Sequence, residues 1–244
     1  MCFNTHNVSP EKLHMIYVGI DDTDTLESRG TGRLARMIAA ELAVKYEIFG
    51  VTRHQLFVHP DIPFTSHNSC AVIHAQALPN AMGDIFLMTK KFMLDDFIEG
   101  SDPGLAIASA QQAGAAAVAF GQDAKTMIVN QERALNVARS CGIHVEGLGG
   151  TNGGVIGAIA GIGLASTGND GRFLLKGKNR ELTGIRGVSE IFGAGIDQIT
   201  TLQGEFIKDG KIKIPKNATP SFIQGKAVLF VERSDDGMVA LKRA

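Results

Sequence analysis

The chain has 244 residues, 44% hydrophobic and 20% charged, with a formal net charge of −1. That length buries a sizeable core without staples, and the near-neutral balance supplies no bulk attraction toward nucleic acid or an anionic membrane. Its three cysteines, Cys2, Cys70 and Cys141, are far apart and form no C-x-x-C, which argues against a disulfide framework or a cysteine zinc site and reads as a reducing, cytoplasmic setting.

Residues 1–13 form a polar arm without an apolar h-region, so no signal peptide is expected. His14–Ile20 is an apolar run fit for a central strand. It stops at three carboxylates, Asp21, Asp22 and Asp24, followed by a polar loop carrying Gly30 and Gly32. A helix is predicted over Thr31–Lys45, its buried face set by Leu34, Ile38 and Leu42. Glu47–Val58 reads as a strand with an irregularity at Gly50, and His59–Pro63 as a proline loop. Ser69–Leu78 is a third strand, and Ala81–Ile98 a helix with Ile85, Met88, Phe92 and Phe97 as core contacts. After the Ser101–Gly104 turn, a short strand is expected at Leu105–Ala108 and a helix at Gln111–Phe120. Asn130 reads as an N-cap for a helix running to about Ser140, with Gly142 as its left-handed stop and a strand at Ile143–Glu146. A second glycine loop, Gly147–Gly154, opens the helix Val155–Leu164, and Phe173–Leu175 is a strand. The remainder is rich in turns, with β-type runs at Ile212–Ile214 and Ala227–Glu232.

The predicted class is α/β, with α+β as the alternative: a mainly parallel or mixed sheet with flanking helices. Two units are expected, a nucleotide-binding domain over 1–176 and a small β-rich module over 177–244 packed on it. No apolar run approaches the ~18 residues of a membrane span.

Three acids within four positions repel one another unless a cation or donors offset them. Mg²⁺ dehydrates reluctantly and takes one or two carboxylates plus substrate phosphates, so Asp21, Asp22 and Asp24 are a candidate Mg²⁺ site. A solvated turn with helix-capping acids is the competing reading. Gly149, Gly150, Thr151, Asn152, Gly153 and Gly154 precede a helix start, where backbone N–H groups attract anions. The loop is neither a Walker A sequence nor a clean dinucleotide fingerprint. Gly153, Gly157 and Gly161 also form a smooth stripe suited to close packing. An acidic metal loop plus a glycine anion loop is what a Mg-nucleotide needs, with Gly30, Thr31, Gly32 and Arg33 as further phosphate contacts. Arg33 and Arg36 reach either a phosphate or the acids Asp21, Asp22, Asp24 and Glu41. Four histidines, His54, His59, His67 and His74, flank the proline loop and read as hydrogen-bonded polar groups ahead of a metal site. Lys176, Lys178 and Arg180 read as a solvated basic edge.

Gly19-Ile20-Asp21-Asp22-Thr23-Asp24 followed by an apolar helix resembles the kinase-like domain of the archaeal enzyme that attaches agmatine to the wobble cytidine of an isoleucine tRNA. Three further stretches resemble that family in order. His59–Phe64 is similar to its N-P-N-x-P-[YW], Asp102–Leu105 to its N-P-G-[LV], and Gly154–Gly163 to its G-L-I-G-A-L-A-A-I-G. The likeness covers about residues 14–175 and implies ATP as the nucleotide, with the aspartates holding Mg²⁺ near its phosphates. Thr65-Ser66-His67-Asn68-Ser69 stands where the family has Lys-Thr-Arg-Gly-Asn, and Gly153 where it has Arg. The family's later OB-fold and zinc ribbon have no counterpart in this sequence, so a stand-alone relative with a different acceptor is expected.

The leading expectation is a Mg-ATP-dependent phosphotransferase or ATP-hydrolysing ligase, with a small-molecule or RNA acceptor left open. A homo-oligomer is also left open. Two alternatives stand beside it: a haloacid-dehalogenase-like phosphatase with an aspartyl nucleophile, and a non-catalytic nucleotide-binding module.

Overall fold

The computed structural model describes residues 12–62, 64–65, 67–235 and 237–241. Residues 1–11 of the expected polar arm, Pro63 of the proline loop and Asp236 of the last turn lie outside the described residues.

The chain begins with β1 (His14–Asp21), α1 (Thr31–Leu42), β2 (Glu47–Gln55), β3 (Ser69–Ala77), α2 (Met82–Asp95) and β4 (Gly104–Ser109). These form a β-α-β-β-α-β unit with strand order β4-β1-β3-β2, the ferredoxin-like arrangement. There follow α3 (Ala115–Asp123), α4 (Gln131–Cys141), β5 (His144–Gly147), α5 (Val155–Ser166) and β6 (Arg172–Leu175), with β5 extending the sheet beyond β4 and β6 beyond β2. Every pairing in this part is antiparallel. The last part contributes β7 (Gly184–Gly187), α6 (Val188–Gly193), β8 (Gln198–Thr201), β9 (Lys211–Ile214), β10 (Ser221–Ile223), β11 (Lys226–Ser234) and β12 (Gly237–Ala240). Its β11–β8 and β12–β9 pairs are parallel, so the sheet of twelve strands is mixed and the fold is α/β. Among the described residues, no helix is long and apolar enough to cross a membrane.

Alternation along β1 explains why the sheet is covered on both faces. Ile16, Val18 and Ile20 pack with Leu34, Ile38 and Leu42 of α1 and with Ile85 and Phe86 of α2. Tyr17 faces the other way, into a cluster built from α3, α4 and α5. Successive side chains of a strand point to opposite faces, so β1, like β3 and β4, contributes to both cores. The glycines of α5 bring it close to the sheet. A Cβ on Gly161 would lie 2.8 Å from Cys70 Sγ, and one on Gly19 of β1 would lie 2.1 Å from the Ala158 carbonyl oxygen.

Several boundaries follow local chemistry. Asn130 accepts a hydrogen bond from the Arg133 N–H at 2.9 Å, and Gly142 closes α4 at φ 67°. The irregularity at Gly50 is a register shift in the β2–β3 pairing. Two expectations are corrected. The helix predicted from Gln111 begins at Ala115, because Gln112 Oε1 accepts from the Ser109 N–H at 2.9 Å and holds a turn there. Phe97 lies beyond the end of α2 and is 43% exposed rather than a core contact.

His54 and His74 are buried and joined through Thr52, whose Oγ1 lies 2.7 Å from each Nε2. His54 Nδ1 is 2.8 Å from Asp170 Oδ1. Donation of Nδ1–H to Asp170 leaves His54 Nε2 to accept from the Thr52 hydroxyl, whose oxygen accepts from His74 Nε2–H. Burial, then the neighbouring His54, lowers the His74 pKa to about 3. A base depressed in the folded state contributes stability that is present at neutral pH. It is lost as pH falls below the unfolded value near 6.5. Between pH 7 and 5, the wild type is therefore expected to lose about 2 kcal/mol relative to His74→Leu, read by urea denaturation at each pH. Parallel pH profiles for the two proteins would refute this.

Candidate functional site

The site forms where β1 ends and β4 begins. Asp22 follows β1 at φ 53°, a left-handed value that a non-glycine residue holds only when its surroundings impose it. Asp21 lies against α5, where a Cβ on Gly157 would be 1.8 Å from Asp21 Oδ2. Asp24 turns back onto the start of α1. Its Oδ1 accepts from Thr31 Oγ1 at 2.6 Å and from the Thr31 N–H at 3.2 Å, capping a helix whose N-cap residue, Gly30, has no side chain. Thr65 Oγ1 donates to the other Asp24 oxygen at 3.1 Å, and Thr23 Oγ1 donates to Thr31 Oγ1 at 3.0 Å.

The second glycine loop lies beside this turn. Asp102 accepts the Thr151 N–H through its side chain and the Gly154 N–H at 2.9 Å through its carbonyl. The Leu148 N–H donates to the Pro103 carbonyl at 2.8 Å. The Asp102-Pro103-Gly104 turn thus fastens the loop across β4. Together these segments enclose a cavity of about 160 Å³. Its lining carries the acids Asp21, Asp22, Asp24 and Asp102 together with the apolar side chains of Leu56, Ile62, Phe64, Met127, Val129 and Ile156.

Burial and crowding among the four acids of this cleft disfavour the charged forms of Asp21 and Asp22. Burial first, then the charge of Asp22, pushes Asp21 well above the usual carboxylate range. Burial, then Asp102 and Asp24, raises Asp22 to about 6. No ion pair among the described residues involves any of the four. The expected alternative of Arg33 and Arg36 pairing with these acids is therefore not what the structure shows. Nor do three acidic, histidine or cysteine side chains among the described residues converge on one metal position. Any ion here would take fewer protein ligands and complete its shell elsewhere.

Of the sequence-derived site residues, Asp21, Asp22, Asp24, Thr31, Thr151 and Gly153 line this cavity. Gly30, Gly32 and Arg33 line an adjoining one that shares Asp24 and Thr31. Gly149, Gly150, Asn152 and Gly154 shape the loop instead. Gly149 packs on Phe97, Gly150 at φ 57° passes Asp102, Asn152 at φ 62° lies over Gly147, and Gly154 meets the Gly104 backbone. Sequence reasoning passed over Asp102, Thr65, Met127 and Val129 as lining residues. Asp102 had a visible signal, since a carboxylate opening a Pro-Gly turn beside a buried strand is placed at a sheet end.

This architecture has counterparts among solved structures. The crystal structure of TiaS in complex with its isoleucine tRNA and ATP matches with a TM-score of 0.55 at 22% identity, over 62% of this chain and 36% of that one. Apo TiaS, a tRNA agmatidine synthetase, matches with 0.53 at 21%, over 61% and 35%. The protein shares its fold with part of TiaS. The complex of TiaS with the same tRNA, AMPCPP and agmatine gives 0.54 at 21%, over 62% and 36%. The chain thus spans about a third of the length of those structures. No family model and no curated protein matches the sequence.

Proposed function

We propose that the protein is a Mg-ATP-dependent transferase or ligase-type enzyme whose reaction takes place at the carboxylate cleft. The observation that carries this reading is the set Asp21, Asp22, Asp24 and Asp102, gathered in one cavity with no cationic side chain among the described residues paired to it. Carboxylates gathered without an ion-pair partner among the described residues fit a hard divalent cation that keeps part of its shell for phosphate oxygens. Asp21 and Asp22 would hold the Mg²⁺, which neutralises charge on the phosphates when bound. Asp24, already holding Thr31 and Thr65, positions the metal side of the cleft. Backbone around Thr31 and Gly153 faces the polyphosphate. The aliphatic wall of Leu56, Met127, Val129 and Ile156 receives the base and keeps water off it. The TiaS crystal structures with ATP and AMPCPP support a nucleotide in this fold. Their tRNA supports RNA as one acceptor class, beside a small molecule.

Isothermal titration with ATP tests the reading. Binding is expected with Mg²⁺, weakened at least tenfold by EDTA and by Asp22→Ala. Absence of binding, or binding indifferent to both changes, would overturn it.

A further inference from the structure

On the far side of the first turn of α1 lies a second cavity of about 260 Å³, walled by Gly30, Gly32, Arg33, Arg36, Arg53 and Ser69. It meets the carboxylate cleft along Asp24, Thr31, Thr65, His67 and Ser69, which line both. Its arginines are held in place. Arg36 donates to the Gly32 carbonyl at 2.8 Å, and Arg53 Nε donates to Ser69 Oγ at 2.8 Å. None of the ion pairs among the described residues involves Arg33, Arg36, Arg53 or Arg180. Burial, then Arg180 and Arg33, lowers the Arg36 pKa, and burial followed by Arg172 lowers that of Arg53.

Asp24, held by Thr31 and Thr65, also borders this cavity and its charge acts on Arg53, but one carboxylate does not offset three guanidinium groups, and a bound oxyanion relieves the remainder through charge-assisted, often bidentate hydrogen bonds. The chemistry of the walls narrows the oxyanion. Among the described residues, the one aromatic ring lining this cavity is the imidazole of His67, and no Phe, Tyr or Trp offers a broader stacking platform for a nucleobase. A compact tetrahedral anion fits.

We propose that this arginine pocket binds a phosphate group carried by the acceptor, so that the acceptor is a phosphorylated molecule whose reacting end reaches past Thr31 into the carboxylate cleft. The assignment rests on the reading that the nucleotide occupies that cleft. It also gives Arg33 to the acceptor rather than to the nucleotide.

The probe is inorganic pyrophosphate, titrated calorimetrically into the full chain in EDTA and again in saturating Mg-ATP. Binding is expected in both, reduced at least tenfold by the double substitution Arg36→Gln/Arg53→Gln and severalfold by Arg33→Gln. Arg33 lines the pocket and is exposed, so its variant tests the pocket even if the double variant fails to fold. No binding, or binding indifferent to the arginines, overturns the proposal. Competition between pyrophosphate and Mg-ATP, with ATP affinity lost in the arginine variants, means that the pocket holds the nucleotide's own tail; this overturns the acceptor assignment. Arginine-dependent pyrophosphate binding by a chain that binds no ATP would leave the anion pocket standing and sink the nucleotide reading instead.

Discussion

Gly104→Ala is expected to destabilise the protein by at least about 3 kcal/mol, the upper end of what overpacking costs. A Cβ at this position would lie 2.0 Å from the Gly154 carbonyl carbon and 2.2 Å from the Val155 nitrogen. Both are backbone atoms at the start of α5, so no side chain can swing away. Relief requires α5 to move off β4, and with it the Gly157 surface against which Asp21 rests. Urea denaturation monitored by circular dichroism measures the loss, and ATP titration of whatever remains folded should show weakened binding. A loss below about 1 kcal/mol would mean that this contact is far looser than the geometry indicates.

The second large effect has the opposite sign. Asp22→Asn is expected to raise the stability of the metal-free protein at pH 7.5, by about 1 kcal/mol once solvent screening of this partly exposed group is allowed for, while abolishing Mg-ATP binding. Asp22 titrates near 6 in the folded protein, above its unfolded range. An acid raised in this way favours the folded state while protonated, and that contribution is lost as pH climbs from about 4 through 6. At pH 7.5 the wild type therefore carries a penalty that the amide removes. Thermal melts at pH 4.5 and 7.5 should show a gap between the two proteins that opens only at the higher pH. Mg²⁺ with ATP should raise the wild-type melting temperature and leave that of the variant unchanged. Equal melting curves at both pH values would show that the repulsion among these carboxylates is already dissipated by solvent.

What could be read from the residues was what neighbours in sequence determine. The strand ending at Asp21, the Asn130 and Gly142 caps and the irregularity at Gly50 all follow from local sterics and hydrogen bonding. The glycine stripe was legible both as packing and as part of an anion loop. Gly157 and Gly161 pack, while Gly153 borders the cleft. Strand order was not legible. β1, β3 and β4 are mostly buried, as parallel strands are, because helices cover both faces, and pattern alone does not distinguish the two. Convergence was hidden for the same reason. Asp102 joins Asp22, and Arg53 joins Arg36, only once β4 and β2 take their places around β1. Short elements such as α6 carry too few residues for a period to emerge.

The rings of Phe49, Phe173 and Phe222 meet where β6 passes to β10, on either side of the expected division at residue 176. Severing the chain there would bare greasy rings and a raw sheet margin at once, a template for sticking to other copies. Anyone seeking a minimal folded fragment is better served by trimming inside the last turns than by cutting at that seam.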